Sequence, residues 1–288
     1  MRFLTGFAQI ASGYDGFVLD LWGVVHDGVN AFPHAVDCLT HLQAAGKKTL
    51  LLSNAPRTND AVRMMMRGMG IEDALYTGIL TSGEAVRRAL KSPPDAWWSA
   101  LGHRVFHLGP ERDRPVLEGL PLTTVMTPAD ADFVLNTGPD DHRNPSDMNE
   151  FEPILQDCAR HRLPMVCGNP DLEVIRGGVR VLCAGALAVR YQALGGDVRS
   201  LGKPDPAIYR PVLELLGQPR DRVLAVGGSL RTDIAGAAAA ALAACWVVDG
   251  LHGEALRRPD GSYDPAKLEA AARAAGLAPV AAIAKFAW

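Results

Sequence analysis

At both ends of this chain, short apolar runs that each stop at a polar residue alternate with stretches of helical periodicity, and the alternation breaks off in the middle. Gly16-Phe17-Val18-Leu19 runs into Asp20, and Lys48-Thr49-Leu50-Leu51-Leu52 runs into Ser53 and Asn54. Between and after them, Pro33 to Ala45 shows apolar positions at helical spacing and stops at Gly46, and Asn59 to Gly68 reads as a Met-rich helix. This βαβα pattern predicts a parallel sheet, because a parallel return needs a crossover helix. It resumes near the C-terminus. Asp205-Pro206 reads as a helix N-cap followed by proline at the first helical position, with a helix running to about Leu216 and Pro211 expected to bend it. Strands at Arg222 to Val226 and Ala244 to Val248 flank a helix expected over Thr232 to Ala241.

The interrupting stretch has strand and helix signals of its own. Strands are expected at Arg104 to Leu108, Asp132 to Asn136 and Pro164 to Cys167, a helix over Glu150 to Arg160, and a polar loop from Gly138 to Asn149. A chain of 288 residues is longer than one hydrophobic core usually organises, so two domains are the natural division. The expected fold is α/β: a doubly wound, Rossmann-like core from residues 1–81 and 197–288, with residues 82–196 as an inserted α/β cap.

Composition excludes several functions. Apolar residues make up 48% and charged residues 21%, as in ordinary globular proteins, and a net charge of −3 offers no footprint for nucleic acid or an anionic membrane. Five scattered cysteines, with no CxxC pair, read as reduced packing residues of a cytoplasmic protein. No run of about 18 apolar residues suggests a membrane span, and the first residues lack a signal-peptide pattern. The oligomeric state stays open, a homodimer included.

The polar residues at the strand ends carry the functional signal. In open α/β sheets the ligand crevice lies at the carboxyl ends of the strands, so Asp20 reads as a catalytic acid group. Judged singly, Ser53 is equally a helix cap, Lys203 a solvated loop charge and Asp233 a first-turn acid. Together with Ser53-Asn54-Ala55-Pro56-Arg57, Thr81-Ser82-Gly83, Gly168-Asn169-Pro170-Asp171, Gly202-Lys203-Pro204-Asp205 and Leu230-Arg231-Thr232-Asp233, they resemble the four motifs of the haloacid dehalogenase superfamily, in its NagD-like and 4-nitrophenylphosphatase-like branch (class IIA). The resemblance covers nearly the whole chain.

It implies a magnesium-dependent hydrolase of a small phosphate ester, a sugar phosphate or similar metabolite, working through an aspartyl-phosphate. Asp20 would be the nucleophile, Ser53 would hold phosphate oxygens and Lys203 would neutralise charge. Magnesium would be held by Asp20, the Trp22 carbonyl and Asp233. Trp22, Gly23 and Asn54 would line the substrate from the motif loops, Asp141, His142 and Arg143 from the loop after a middle-segment strand, and Asn169 from the same segment.

Two departures from the family pattern bear on turnover. The usual second Asp, two residues after the nucleophile, is Trp22, and the usual first Asp of the fourth motif is Gly228, within Val226-Gly227-Gly228-Ser229. His26 is the expected substitute acid, since an imidazole titrates near neutrality, although a loop histidine is the plainer reading. The rival function is a binding or regulatory module that keeps the phosphate pocket without turnover. A dinucleotide site, suggested by Val226-Gly227-Gly228, is a poor reading because no GxGxxG follows the first strand.

Overall fold

The computed structural model describes residues 1–176, 178–249 and 253–288. Among them the strands are, in chain order, β1 (Arg2–Leu4), β2 (Gly16–Leu19), β3 (Lys48–Ser53), β4 (Gly78–Thr81), β5 (Arg104–Leu108), β6 (Thr123–Val125), β7 (Phe133–Asn136), β8 (Met165–Cys167), β9 (Glu173–Arg176), β10 (Val179–Leu182), β11 (Val198–Ser200), β12 (Val223–Gly227), β13 (Ala243–Val247) and β14 (Ala281–Ile283). They fall into two compact units.

The first unit comprises Met1–Ser53, Arg63–Leu80 and Lys203–Trp288. Its seven-stranded sheet has the order β1-β14-β13-β12-β2-β3-β4, parallel at each interface from β1 to β3. All residues of β2 and β12 are buried, as expected for strands covered on both faces, and this is why they read as unbroken apolar runs. From β2 the chain winds one way through β3 and β4, while β12, β13 and β14 step away on the other side. β2 and β12 are therefore neighbours at the point where the strand order reverses, the place where such sheets open a crevice. Register brings Leu19 opposite both Leu51 and Val226, and the Asp20 N–H continues the ladder to the Val226 carbonyl at 2.9 Å. Asp20, Leu52 and Gly227 thus reach the same end of the sheet.

The second unit comprises Asn54–Val62 and Thr81–Gly202. Its five-stranded parallel sheet has the order β11-β8-β7-β5-β6, beside an antiparallel hairpin of β9 and β10. Along β7, Phe133 and Leu135 pack with Val86 and Trp98, whereas Val134 packs with Phe151, Leu155 and Tyr191. That period-two alternation places an apolar layer on each face. The buried Tyr191 donates its hydroxyl to the Leu163 carbonyl at 2.7 Å, satisfying the one polar atom in that layer's largest side chain.

Several local expectations change. Residues 54–62 and 197–202 group with the second sheet, so the units divide the chain elsewhere than at 82–196. The expected Asp205–Leu216 helix begins as a single 3-10 turn, Pro206–Ile208, in which the Asp205 carboxylate accepts the Ala207 N–H at 2.8 Å. The α-helix proper is Tyr209–Leu216, and Pro211 falls in its first turn, where no N–H is needed and the cause of a bend disappears. The expected Thr232–Ala241 helix starts earlier, as a wide π-turn over Leu230–Ile234, and its α-helical part is only Ala235–Ala239. The β9–β10 hairpin was invisible to periodicity, because its residues are half-buried or exposed throughout. All five cysteines are free and buried, and among the described residues no helix is long and apolar enough to cross a membrane.

Candidate active site

Three of the four motif residues meet at one ammonium group. Lys203 Nζ donates to Asp20 Oδ1 at 2.6 Å, to Asp233 Oδ1 at 2.7 Å and to the Leu52 carbonyl at 2.9 Å. A lysine ammonium has three protons and no acceptor, so these three acceptors use all of its hydrogen-bonding capacity and fix its position. The lysine and Asp233 side chains are about 5% exposed or less, while Asp20 keeps 14% of its surface open. The carboxylate that would act as nucleophile is therefore the accessible member of the set. Ser53, 7% exposed, follows Leu52 and ends β3, so the same strand that offers a carbonyl to Lys203 delivers the serine. The cluster as a whole carries two negative charges and one positive, a net anionic site.

Each charged residue is held by local structure. Asp233 lies on the π-turn after β12, and its Oδ2 accepts the Ser229 N–H at 2.9 Å, while Ser229 caps that turn through the Thr232 N–H. The carboxylate also lies directly against Gly227: a Cβ there would come within 2.2 Å of the Asp233 carboxyl carbon, so only glycine lets the acid in. Sequence reading singled out Asp233 and passed over Gly227, although two glycines in a row at the end of an apolar strand were the available signal. Tyr209, 1% exposed, was also missed. Its hydroxyl donates to the Asp233 carbonyl at 3.3 Å, and Gly236 leaves room for its ring. Burial pushes this phenol far above its ordinary range, so it serves as a donor that never titrates.

The segment after Asp20 folds back as a tight turn. The Gly23 N–H donates to the His26 carbonyl at 2.8 Å, with Gly23 at φ +77°, and the N–H groups of Val25 and His26 converge on the Leu21 carbonyl. Trp22 is half-buried, its indole edge-on to the His26 ring at 5.8 Å and pressed against Gly28, where a Cβ would meet it at 2.1 Å. The acid role expected of His26 does not suit this geometry. The ring is 2% exposed and Nδ1 accepts the Gly28 N–H at 3.0 Å, which puts the proton of the neutral ring on Nε2. A cationic His26 would have to give up that bond. Gly228 is different again: a Cβ there would meet only ordinary contacts, 3.7 Å from the Val247 carbonyl, while its own carbonyl accepts the Trp246 indole N–H at 3.1 Å.

The remaining candidates belong to the second unit. Asn54 Nδ2 donates to Asp171 Oδ1 at 3.0 Å, and Asn169 Oδ1 accepts the Asp171 N–H at 3.0 Å, so the Asn-Pro-Asp string and the asparagine after Ser53 form one polar corner. In the loop after β7, Asp140 accepts the N–H groups of His142 and Arg143 and pairs with the Arg143 guanidinium, which also lies 5.8 Å over the Phe151 ring. Asp141 accepts the Glu111 N–H at 3.0 Å. These contacts give Asp141 and Arg143 structural duties in the loop, and His142 a backbone one.

A divalent cation can be tested against this donor set. Among the described residues, no group of three or more His, Cys, Asp or Glu side chains converges, so a metal would have two carboxylates, Asp20 and Asp233. Magnesium commonly keeps several waters and needs one or two protein carboxylates, and the net charge of the cluster is negative. The residues fit, with one carboxylate fewer than Gly228 as Asp would supply.

Comparison with known proteins agrees with the geometry. The family model for haloacid dehalogenase-like hydrolases matches residues 17–123, and a second, for HAD-hydrolase-like chains, matches residues 200–280. A haloacid dehalogenase-like family hydrolase from Brucella suis 1330 is 30% identical, with a TM-score of 0.80, covering 97% of this chain and 98% of its own. Chronophin from Rattus norvegicus is 29% identical over 232 residues, 76% of this chain and 71% of that protein. D-glycerol 3-phosphate phosphatase from Mycobacterium tuberculosis is 29% identical over 259 residues, 87% of this chain and 69% of that protein. With two carboxylates and a lysine gathered where strand order reverses, and with these matches spanning both units, the chain belongs to the haloacid dehalogenase superfamily, class IIA.

Proposed function

We propose that the protein is a magnesium-dependent phosphatase of a small phosphorylated metabolite, in which Asp20 attacks phosphorus and carries the phosphoryl group as an aspartyl-phosphate before water releases it. The observation that carries this reading is the Lys203 ammonium held between Asp20 and Asp233 at 2.6 and 2.7 Å. A lysine so placed keeps Asp20 ionised, as a carboxylate nucleophile must be, and offers positive charge beside the transferring phosphoryl group. Ser53 would hold a phosphate oxygen from the end of β3. Asp20, Asp233 and the Trp22 carbonyl would hold magnesium, which supplies charge neutralisation for the phosphoryl oxygens. The relatives named phosphatases, among them one for D-glycerol 3-phosphate, support a small polyol or sugar phosphate as substrate.

Trp22 sets the rate of this chemistry. Its indole N–H does not titrate usefully, and its ring is packed on His26 and Gly28, so no acid stands two residues after the nucleophile. Losing general acid–base help costs about 10²–10⁴ in rate. Esters with good leaving groups, such as nitrophenyl phosphate, should therefore turn over far better than alkyl phosphates. The same observation favours a second reading, a phosphate-binding or regulatory module on this fold.

Rates with nitrophenyl phosphate and glycerol 3-phosphate, with magnesium and with Asp20→Asn, test the proposal. Magnesium-dependent turnover that drops by at least ~10⁴-fold in Asp20→Asn is expected. Comparable turnover in the variant would remove Asp20 as nucleophile, and no turnover or phosphoenzyme with any ester would leave the binding module.

A further inference from the structure

A buried phenol reaches the turn that carries Asp233 from a neighbouring helix, and all the residues involved lie in the first unit. Tyr209 opens the helix Tyr209–Leu216 and is 1% exposed, and its hydroxyl donates to the Asp233 carbonyl at 3.3 Å. Gly236, three residues after Asp233, makes this approach possible. A Cβ there would stand 2.7 Å from the Tyr209 hydroxyl, 3.0 Å from its ring and 3.1 Å from Pro204 Cα. The phenol, the backbone that follows Lys203 and the helix that follows Asp233 therefore close on one point, which a glycine leaves open.

The turn gives this bond its importance. Asp233 sits on the five-residue π-turn Leu230–Ile234, where the N–H groups of Asp233 and Ile234 share the Ser229 carbonyl at 3.0 and 3.1 Å. Such turns are rare and recur at functional sites. Within it the carboxylate has two partners: Oδ2 accepts the Ser229 N–H at 2.9 Å and Oδ1 accepts the Lys203 ammonium at 2.7 Å. Those bonds use two of the roughly four lone-pair sites of a carboxylate and leave sites for a cation. Where the carboxylate lies follows from where its backbone lies. The Tyr209 bond ties that backbone to a helix that begins six residues after Lys203, so one packed group of residues places both members of the Lys203–Asp233 pair.

We infer that Tyr209 is a positioning residue of the active site: its hydroxyl fixes the Asp233 backbone so that the carboxylate stays on Lys203 and available to a cation. The expected effect on turnover rests on the phosphatase reading, whereas the hold on the Lys203–Asp233 pair does not. Lys203 also carries its charge to Asp20 at 2.6 Å, so a displaced Asp233 alters the site without any contact to substrate. An interaction of this kind shows in kcat and leaves KM nearly constant.

Tyr209→Phe removes the hydroxyl and keeps the ring in the recess at Gly236. With nitrophenyl phosphate, kcat should fall about tenfold while KM changes by less than about twofold. Calorimetric titration with magnesium alone should read an affinity weaker by about threefold to tenfold. A hydroxyl that served only stability would leave kcat and magnesium affinity of the folded variant unchanged, and that result would overturn the inference. A double-mutant cycle on urea denaturation reads the same contact without metal or substrate. Asp233→Asn keeps the backbone carbonyl that Tyr209 bonds and removes the charge that Lys203 holds. The loss in folding constant caused by Tyr209→Phe should be smaller in the Asp233→Asn background by at least about threefold. Equal losses in both backgrounds would overturn the inference, since a bond to the carbonyl alone costs the same beside either side chain. Absence of all ester hydrolysis by the unmodified protein would instead sink the phosphatase reading, and the cycle would then decide the role of Tyr209 alone.

Discussion

The two units each bury a charge cluster, and they solve its electrostatics in opposite ways. In the seven-stranded unit one cation, Lys203, is shared by two carboxylates and a carbonyl, with every ammonium proton used. In the five-stranded unit one carboxylate, Asp113, is set among arginines and backed by Thr137. The first cluster is left net negative, whereas in the second two guanidiniums face Asp113. An aspartate can escape burial by taking a proton, and Asp113 is pushed up to about 6 by burial against the pull of Arg57 and Arg112. Two aspartates share one lysine in the first cluster, and removing it leaves two carboxylates facing each other where Arg57 removal leaves one that still has Arg112 near it. The difference teaches which cluster depends on its cation.

That comparison is broken most sharply by deleting the cations. Lys203→Met should destabilise the protein by about 3–5 kcal/mol, the cost of breaking a buried ion pair from one side. Arg57→Met should cost less, because Asp113 can become neutral. Urea denaturation at pH 7 checks both, and an Arg57→Met loss equal to or above that of Lys203→Met would break the asymmetry.

A pH series sharpens it. The folded-state acidity of Asp113 lies at about 6 against 3.8 for the free carboxyl, so the native state holds this proton longer than the unfolded chain does. Its contribution is therefore most favourable below about pH 4 and is lost as pH rises through 6, by about 3 kcal/mol in all for two units. The stability difference between the unmodified protein and Asp113→Asn, followed from pH 4 to 7, should shift against the unmodified protein by up to that amount. A flat difference would mean that Asp113 stays ionised across the range. Carboxylates such as Asp132, held at about 2 chiefly by the Arg104 guanidinium, respond in the opposite direction at lower pH and cancel in this difference.

The smallest expected effect concerns the negative cluster. Gly228→Asp adds a third carboxylate where a Cβ meets no atom closer than 3.7 Å, so magnesium affinity should rise by about tenfold, read by calorimetry. Unchanged affinity would show that a side chain at 228 does not reach the cation.

Much of this was legible in the chain itself, and for a physical reason. Parallel strands buried on both faces must be apolar throughout, so Gly16-Phe17-Val18-Leu19, Leu50-Leu51-Leu52 and Val223 to Val226 announce themselves, and Asp20 and Ser53 at the ends of the first two, with Asp233 on the turn after the third, mark one end of the sheet. The βα alternation, and the placement of Asp20, Ser53 and Asp233 at that edge, followed from sequence alone. The family followed from the spacing of the motifs. Tertiary structure decided what depends on contacts between residues far apart in the chain. Lys203 and Asp20 are 183 positions apart, and only the folded chain, which also sets Lys203 on the Leu52 carbonyl of β3, brings them within 2.6 Å. Likewise, Gly227 is needed because Asp233 lies on it, His26 loses its freedom to act as an acid because Gly28 donates to its ring, and Arg57 belongs with Asp113 because a helix start clamps its backbone. Local sequence carries periodicity and turn chemistry, while hydrogen-bond partners and burial are set by which strands become neighbours.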